Sequence, residues 1–330
     1  MNRFYMIFGA LSLFVTSNLF AQTNPTDRTV VQNKIKREEK KPEEVAPDGW
    51  KKGGEGILNL SLTSFSKNWQ AVSGGENNLL ATGTLGLFAN YKKDKFTWDN
   101  NAKLAYGFVN FIDRGSDNAF KIRKADDLFL LGSKAGYGFS KKVYGVAFLD
   151  FATQFSPGYK YTTDSLGEHR ELVSDLMSPA TLRLGLGIDY RPADYLSIMF
   201  APVSFRGLFV NDQIIANKFI HGNSANDDGT GKTFTPEFGA LLQAKFKKDL
   251  ATNINLESNL DLFQNYLNSF DGTYLTWANI LSLKVNKYIA TRLESTLLYN
   301  SKADTDLVTD GIQTGLQHRL FLGVGFSYKF

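Results

Sequence analysis

The chain has 330 residues with 27 phenylalanines, 14 tyrosines, 29 glycines, 8 prolines and no cysteine, and its formal net charge is +4. The lack of cysteine excludes disulfides, thiolate metal centres and lipidation through an N-terminal cysteine, and so small a charge gives no basis for nucleic-acid binding. A slightly negative mean hydropathy beside this aromatic content suits a closed sheet in which only alternate residues meet lipid.

Residues 1–21 carry a basic start at Arg3, an apolar stretch from Phe4 to Val15 and a small residue at Ala21. This pattern predicts a secretory signal peptide cleaved after Ala21; Ser12, Thr16, Ser17 and Asn18 interrupt the stretch too early for a spanning helix, which needs about 20 apolar residues. Residues 22–53 are polar, with Pro25, Pro42, Pro47 and a charge run from Lys34 to Glu44. Such a segment cannot bury enough apolar surface to order itself and is expected to be a disordered periplasmic leader.

The remainder, residues 54–330, is expected to be a single all-β domain. From Ile57 onward apolar and polar residues alternate with a period of two, the mark of strands with two different faces, and twelve such segments can be counted. The longest alternation runs over 250–265, with Leu250, Thr252, Ile254, Leu256, Ser258, Leu260 and Leu262 on one face. A soluble sandwich would alternate as well, but the connections separate the two folds. Short turns around Lys93, Lys141, Ala193, Lys248 and Asn286 alternate with mostly longer loops after Phe65, Asn110, Phe155, Val210, Asn265 and Asn300. Short turns at one end and long loops at the other describe an outer-membrane barrel. The expected fold is therefore a closed antiparallel transmembrane β-barrel of about twelve strands, with both termini in the periplasm.

The last segment places Leu316, His318, Leu320, Leu322, Val324, Phe326, Tyr328 and Phe330 on one face. It resembles the signal read by the bacterial barrel-assembly machinery, with Gly325, Tyr328 and Phe330 matching and Gly323 standing where a polar residue is usual. The chain from about Gly49 to Phe330 also resembles an uncharacterised family of Bacteroidota outer-membrane proteins, a domain of unknown function. The likeness rests on Asn68-Trp69, Gly74-Gly75-Glu76-Asn77, Thr153-Gln154-Phe155, Gly158-Tyr159, Ser178-Pro179, Ala201-Pro202, Trp277-Ala278-Asn279 and Lys284-Val285-Asn286. It implies a location and a fold, and no activity.

Local motifs add little chemistry. Gly229-Thr230-Gly231-Lys232-Thr233 ends like a phosphate loop, but Asn226 replaces the first glycine and Pro236 follows where a helix is required. Asn226, Asp227 and Asp228 suggest a calcium loop whose register lacks two principal carboxylates. No cofactor and no resident metal are expected. His318 falls on the lipid-facing side of the last segment, where an outer-membrane hydrolase could place a catalytic histidine, yet no accompanying motif supports an enzyme.

The lumen carries the more specific expectation. Alternation assigns inward Lys103, Lys134, Arg183, Lys245, Lys284, Arg292 and Arg319, against Asp99, Asp126, Asp150, Asp189, Glu237, Glu257, Asp261 and Glu294. Near balance of sign argues against strong ion selectivity and for a paired network that narrows the interior, because buried charges need partners. The expected function is a narrow or gated passage for small polar solutes. A scaffolding barrel that binds another envelope component is the alternative, and a lipid-face hydrolase is a distant third. The expected partners are outer-membrane lipid and, during biogenesis, the assembly machinery.

Overall fold

The computed structural model describes residues 48–64, 66–67, 76–112, 121–164, 167–267, 272–286, 289–301 and 316–329. The expected signal peptide, most of the leader, Asn68-Trp69, Gly74-Gly75 and Phe330 lie outside the described residues, as do the side chains of Arg319 and Tyr328.

The strands are β1 (Gly49–Thr63), β2 (Asn78–Lys93), β3 (Phe96–Phe111), β4 (Ile122–Gly138), β5 (Val143–Thr153), β6 (Gly158–Asp164), β7 (Gly167–Ser174), β8 (Ala180–Ala193), β9 (Leu196–Phe209), β10 (Phe234–Ala251), β11 (Ile254–Asn265), β12 (Thr273–Lys284), β13 (Ile289–Asn300) and β14 (Leu316–Lys329). Twelve of them form a closed antiparallel barrel in chain order, with β5 beside β8 and β1 beside β14. The other two, β6 and β7, leave the wall as a separate hairpin. One turn of helix, α1 (Gln213–Ala216), lies in the connection between β9 and β10.

Alternation decides which way each side chain points. On β8, Leu184, Leu186 and Ile188 are 38%, 64% and 54% exposed on the outer face, whereas Arg183 and Asp189 are 4% and 0% exposed inside. The outer face carries the same exposed apolar character on Leu58, Leu60 and Leu62 of β1, Leu85 and Leu87 of β2, and Leu320 and Leu322 of β14. Aromatic residues gather near the short-turn end: Trp50 lies against Tyr91 and Trp98, Tyr137 against Phe139, and Tyr195 against Phe246. Lys52 and Lys248 reach over Trp50 and Tyr195, as amphipathic side chains do at a boundary between apolar and aqueous surroundings.

Three differences from the sequence reading have simple causes. The first strand begins at Gly49, so residues 49–53, expected in the leader, belong to the wall; their lysines and glycines conceal the alternation. The turn expected around Lys248 falls instead at Thr252 and Asn253, between β10 and β11. The two-residue turn pairs Ala251 with Ile254 and so reverses odd and even, but the bulge between Asp249 and Ala251 reverses them again, Asp249 facing Asn255, so the alternation over 250–265 ran unbroken through the turn. The loop expected after Phe155 contains the β6–β7 hairpin, whose short strands have no lipid face and hence no apolar alternation.

Two bulges in the body of the wall, apart from those beside the short turns at Ala193 and Ala251, shift its phase. On β9 three steps, Val203 to Phe200, face two steps on β8, Leu186 to Ile188, and the same surplus faces β10 between Gly239 and Leu241. On β4, Asp126 faces Gly107 while Lys124 faces Phe108, leaving Ala125 unmatched. Each extra residue turns the following side chains to the opposite face. The chain also passes very closely at Gly239, where an added Cβ would lie 2.0 Å from the Gln264 carbonyl oxygen. Gly239→Ala is expected to reduce the heat-modifiable folded species on gels and lower its melting temperature, whereas Gly56→Ala, with nothing within 4 Å of an added Cβ, leaves both unchanged.

Candidate functional site in the barrel lumen

Inside the wall, two charge clusters bridge strands that are not neighbours. In the first, Arg183 on β8 donates through Nη1 to both carboxylate oxygens of Asp261 on β11, at 2.9 and 3.0 Å, and through Nη2 to Asp150 on β5 at 3.0 Å. Gln243 Nε2 donates to the same Asp261 at 2.7 Å. In the second, Asp189 on β8 accepts from Lys134 on β4 at 3.0 Å, from Arg191 Nε at 2.9 Å and from the Ser197 hydroxyl at 2.5 Å. Charge-assisted and bidentate bonds of this kind offset the desolvation of the buried ions.

Between the two charge clusters on β5 and β8, and reaching round to β11, lies an apolar cluster, also inside: Val146 and Phe148 of β5, Met199 and Ala201 of β9, Leu241 of β10 and Phe263 of β11. The Phe148 ring lies over Gly185, so close that an added Cβ there would be 2.5 Å from the ring. Further toward the loops, Glu237 pairs with Arg206 and accepts from the Tyr274 hydroxyl at 3.0 Å and from Asn265 Nδ2 at 3.3 Å. The Arg206 guanidinium stacks 4.2 Å over the Tyr274 ring. A second apolar cluster of Ala105, Leu128, Leu130 and Ala152 fills the inner face at β3 to β5. The lumen is thus occupied on its β4 to β11 side. On β1 and β2 the inward Asn59, Thr63, Thr82 and Thr84 keep partial exposure.

The structure brings together Lys134, Arg183, Asp150, Asp189 and Asp261 from the expected inward set, with Glu237 held by Arg206 and Tyr274 nearer the loops and Glu257 paired to Lys247 at 2.9 Å. Asp99, Lys103, Asp126, Lys245, Lys284, Arg292 and Glu294 occupy inward strand positions outside these clusters. Sequence reasoning missed Arg206 because the β9 bulge reverses its parity, and it missed Arg123 because the β4 bulge does the same. Arg191 and Lys247 carry the same parity as Asp189 and Lys245, so the alternation was a signal that could have found them.

A cap covers the loop end on this side. Asp127 accepts from the backbone N–H of Phe155 and Ser156 at 3.0 and 2.9 Å and fixes the root of the β6–β7 hairpin. Arg123, turned inward, pairs with Glu168 of the hairpin and packs between the rings of Phe111 and Tyr161, at 5.0 and 4.2 Å. The β9–β10 connection closes over β7. Asp212 caps α1 by accepting from Ile214 N–H and Ile215 N–H, Leu172 packs on Leu208, Val210, Ile215 and Ala216, and Lys218 reaches Glu171 at 2.5 Å. His221 Nε2 donates to the Val173 carbonyl at 2.8 Å. Its Nδ1 is buried without a partner among the described residues, and burial lowers its pKa from 6.5 to about 4.

The remaining candidates are set by geometry too. Asp228 accepts from Thr230 N–H and Oγ1, which holds its carboxyl below the usual range, and among the described residues no group of three acidic or histidine side chains is placed to hold a metal ion. On the outer face His318 Nε2 stands 3.1 Å from Ser295 Oγ. Ser295 faces Asn279 on β12, so serine lies between asparagine and histidine, whereas a triad needs the histidine in the middle.

Removing Arg183 leaves two buried carboxylates facing each other. Arg183→Ala is expected to destabilise the barrel by about 3–5 kcal/mol, and Arg292→Ala, outside the clusters, by well under ~1 kcal/mol; thermal melts of the purified protein measure both. Protonating His221 adds a second N–H with no acceptor. Because its folded pKa lies below the unfolded value, its contribution to cap docking is complete above about pH 6.5 and is lost as the pH falls through about 4. Hydrogen exchange over residues 211–233 is expected to quicken across that window, and the His221→Gln variant is expected to lack this pH dependence.

Among known proteins, a family profile described as a protein of unknown function (DUF3078) matches residues 60–159. No curated protein matches the sequence. Similar solved structures include an outer membrane channel from Pseudomonas putida F1 at 13% identity and TM-score 0.40, covering 88% of this chain and 99% of that one. The translocator domain of the autotransporter NalP from Neisseria meningitidis follows at 10% and 0.40, covering 87% and 90%, and the NanC porin at 9% and 0.37, covering 84% and 100%. At these identities and TM-scores the likeness extends to the general course of the chain, and the lumen chemistry stands on this chain's own residues.

Proposed function

We propose that the chain is an outer-membrane β-barrel serving as a narrow, gated passage for small polar solutes, closed at rest. The observation that carries this reading is the pairing of a half-filled lumen with a cap latched over the filled half by the Arg123–Glu168 ion pair. The filled half and its cap together confine any passage to the opposite wall. The partially exposed Asn59, Thr63, Thr82 and Thr84 supply a polar route along the opposite wall, and the clusters, with cations and carboxylates interleaved, favour neither sign of ion. The exposed apolar band and the aromatic ring near the short turns support a membrane setting, and the signal-peptide pattern of residues 1–21 supports export, with the short turns and both termini on the periplasmic side.

The scaffolding alternative draws on one observation, the exposure of Leu176, Ile214 and Ile220 at 56%, 66% and 49% on the cap, an apolar face open to a partner. Planar-bilayer recording separates the two. The full chain is expected to give small, brief openings, and Glu168→Ala, which releases the latch, is expected to lengthen them several-fold. Electrically silent bilayers with both proteins, verified as inserted, would overturn the passage reading in favour of the scaffold.

A further inference from the structure

The wall is much weaker at one seam than elsewhere. β1 pairs with β2 from Gly49 through Thr63, and β13 pairs with β14 from Ile289–Phe326 through Tyr299–Leu316. Between β1 and β14 the ladder runs, among the described residues, from Glu55–Lys329 to Asn59–Gly325. Leu60–Thr63 and the facing part of β14 are both strand, yet they do not pair with each other. Beyond Asn59 the inward Ser61 is exposed, like its outward neighbours Leu60 and Leu62, as expected where the wall parts.

The outward residues flanking this gap are Leu60 and Leu62 on one side and Leu320 and Leu322 on the other, 55–66% exposed. The gap therefore lies within the apolar band. Unpaired backbone N–H and C=O groups facing hydrocarbon cost several kcal/mol each and persist only where water or a polar group reaches them. Beside the gap, the outer face carries a groove of about 890 Å³ that crosses the seam, lined by Phe326, Leu58, Leu85, Leu104, Tyr106 and Phe155 and floored by Gly56 and Gly83. An added Cβ would meet nothing within 4 Å at Gly56, and at Gly83 only the Tyr106 carbonyl at 3.9 Å. The groove is continuous with the lipid-facing band.

We propose that the β1–β14 seam is a lateral portal for a single-chain amphiphile of the fatty-acid class. The acyl chain lies in the glycine-floored groove, and the polar head meets the unpaired strand edges of the gap and the polar inner wall at Asn59 and Ser61. The head answers the backbone groups that hydrocarbon cannot satisfy, and the tail answers the apolar groove. This route uses the wall and not the capped mouth, so it stands apart from axial conductance.

Photoactivatable palmitate tests it with the full chain in phosphatidylcholine vesicles, adducts being mapped by mass spectrometry. Adducts are expected to concentrate on Leu58, Leu85, Tyr106 and Phe326, with a smaller set on the inward Asn59 and Thr82. Gly83→Phe fills the groove and is expected to lower groove labelling at least tenfold, with heat-modifiable mobility confirming that it folds. In this cysteine-free chain, Ser61→Cys with Gly323→Cys continues the register from Asn59–Gly325. Oxidation is expected to abolish the inward adducts and leave axial conductance unchanged, and dithiothreitol to restore them. Labelling spread evenly over the apolar band of the unaltered protein, or inward adducts indifferent to oxidation, would overturn the portal whatever the bilayer recordings show.

Discussion

A sheet whose outer face meets no water has to satisfy every backbone amide and carbonyl from a neighbouring strand. In this chain that constraint governs almost everything else. It closes twelve strands into a ring, it forces inward whatever polar side chains the strands carry, and it admits extra residues only as bulges that neighbouring strands can bridge. The interior chemistry follows from closure: Arg183 and Asp189 are buried because their strand has nowhere else to turn them, and their partners on β4, β5 and β11 are needed because a buried charge without a partner is costly.

The interior is asymmetric as a result. Charge clusters and aromatic side chains crowd the side from β4 to β11, while β1 and β2 offer small polar residues. The same asymmetry recurs in the connections. The long insertions between β5 and β8 and between β9 and β10 fold over the crowded side, where Arg123 and the turn of helix at Asp212 fix them. The weak seam lies on the other side. Filled lumen, cap and latch thus belong to one half of the barrel, and the partly hydrated wall and the seam belong to the other.

The architecture was legible because two independent regularities, the period of two and the alternation of short and long connections, depend on the wall as a whole. Individual elements were legible only where the period was unbroken. Asp150, Arg183, Asp189 and Asp261 could be placed inward because no bulge separates them from well-patterned neighbours. Arg206 and Arg123 could not, since one unmatched residue on β9 and one on β4 invert the count, and neither Pro202 nor Ala125 announces this in the local composition. The turn at Thr252 and Asn253 was hidden because the bulge beside it cancels the change of parity that a two-residue turn makes. The cap was invisible for another reason: β6 and β7 rest on packing with α1 and on the Arg123–Glu168 pair, contacts between distant segments that no short-range pattern encodes. Which inward charges would meet across the lumen was likewise beyond the alternation, which gives direction but not reach.

The bulge on β9 bears on how such a chain can change over generations. Upstream of Ala201 the inner face is counted on odd residues, and downstream of Val203 on even ones. Losing the Pro202 codon would only remove the surplus residue and leave Ser204 and Arg206 inward, whereas losing a codon in an unbulged stretch of strand would carry every residue on one side of it to the opposite face, a change that no nearby point substitution could repair. Substitutions at individual lumen positions, by contrast, leave the phase of the wall intact. Variation in this barrel is therefore expected to proceed by exchange of residue types on a frozen frame, with insertions and deletions confined to the loops and to bulges such as that at Pro202, where the count of twos is already broken.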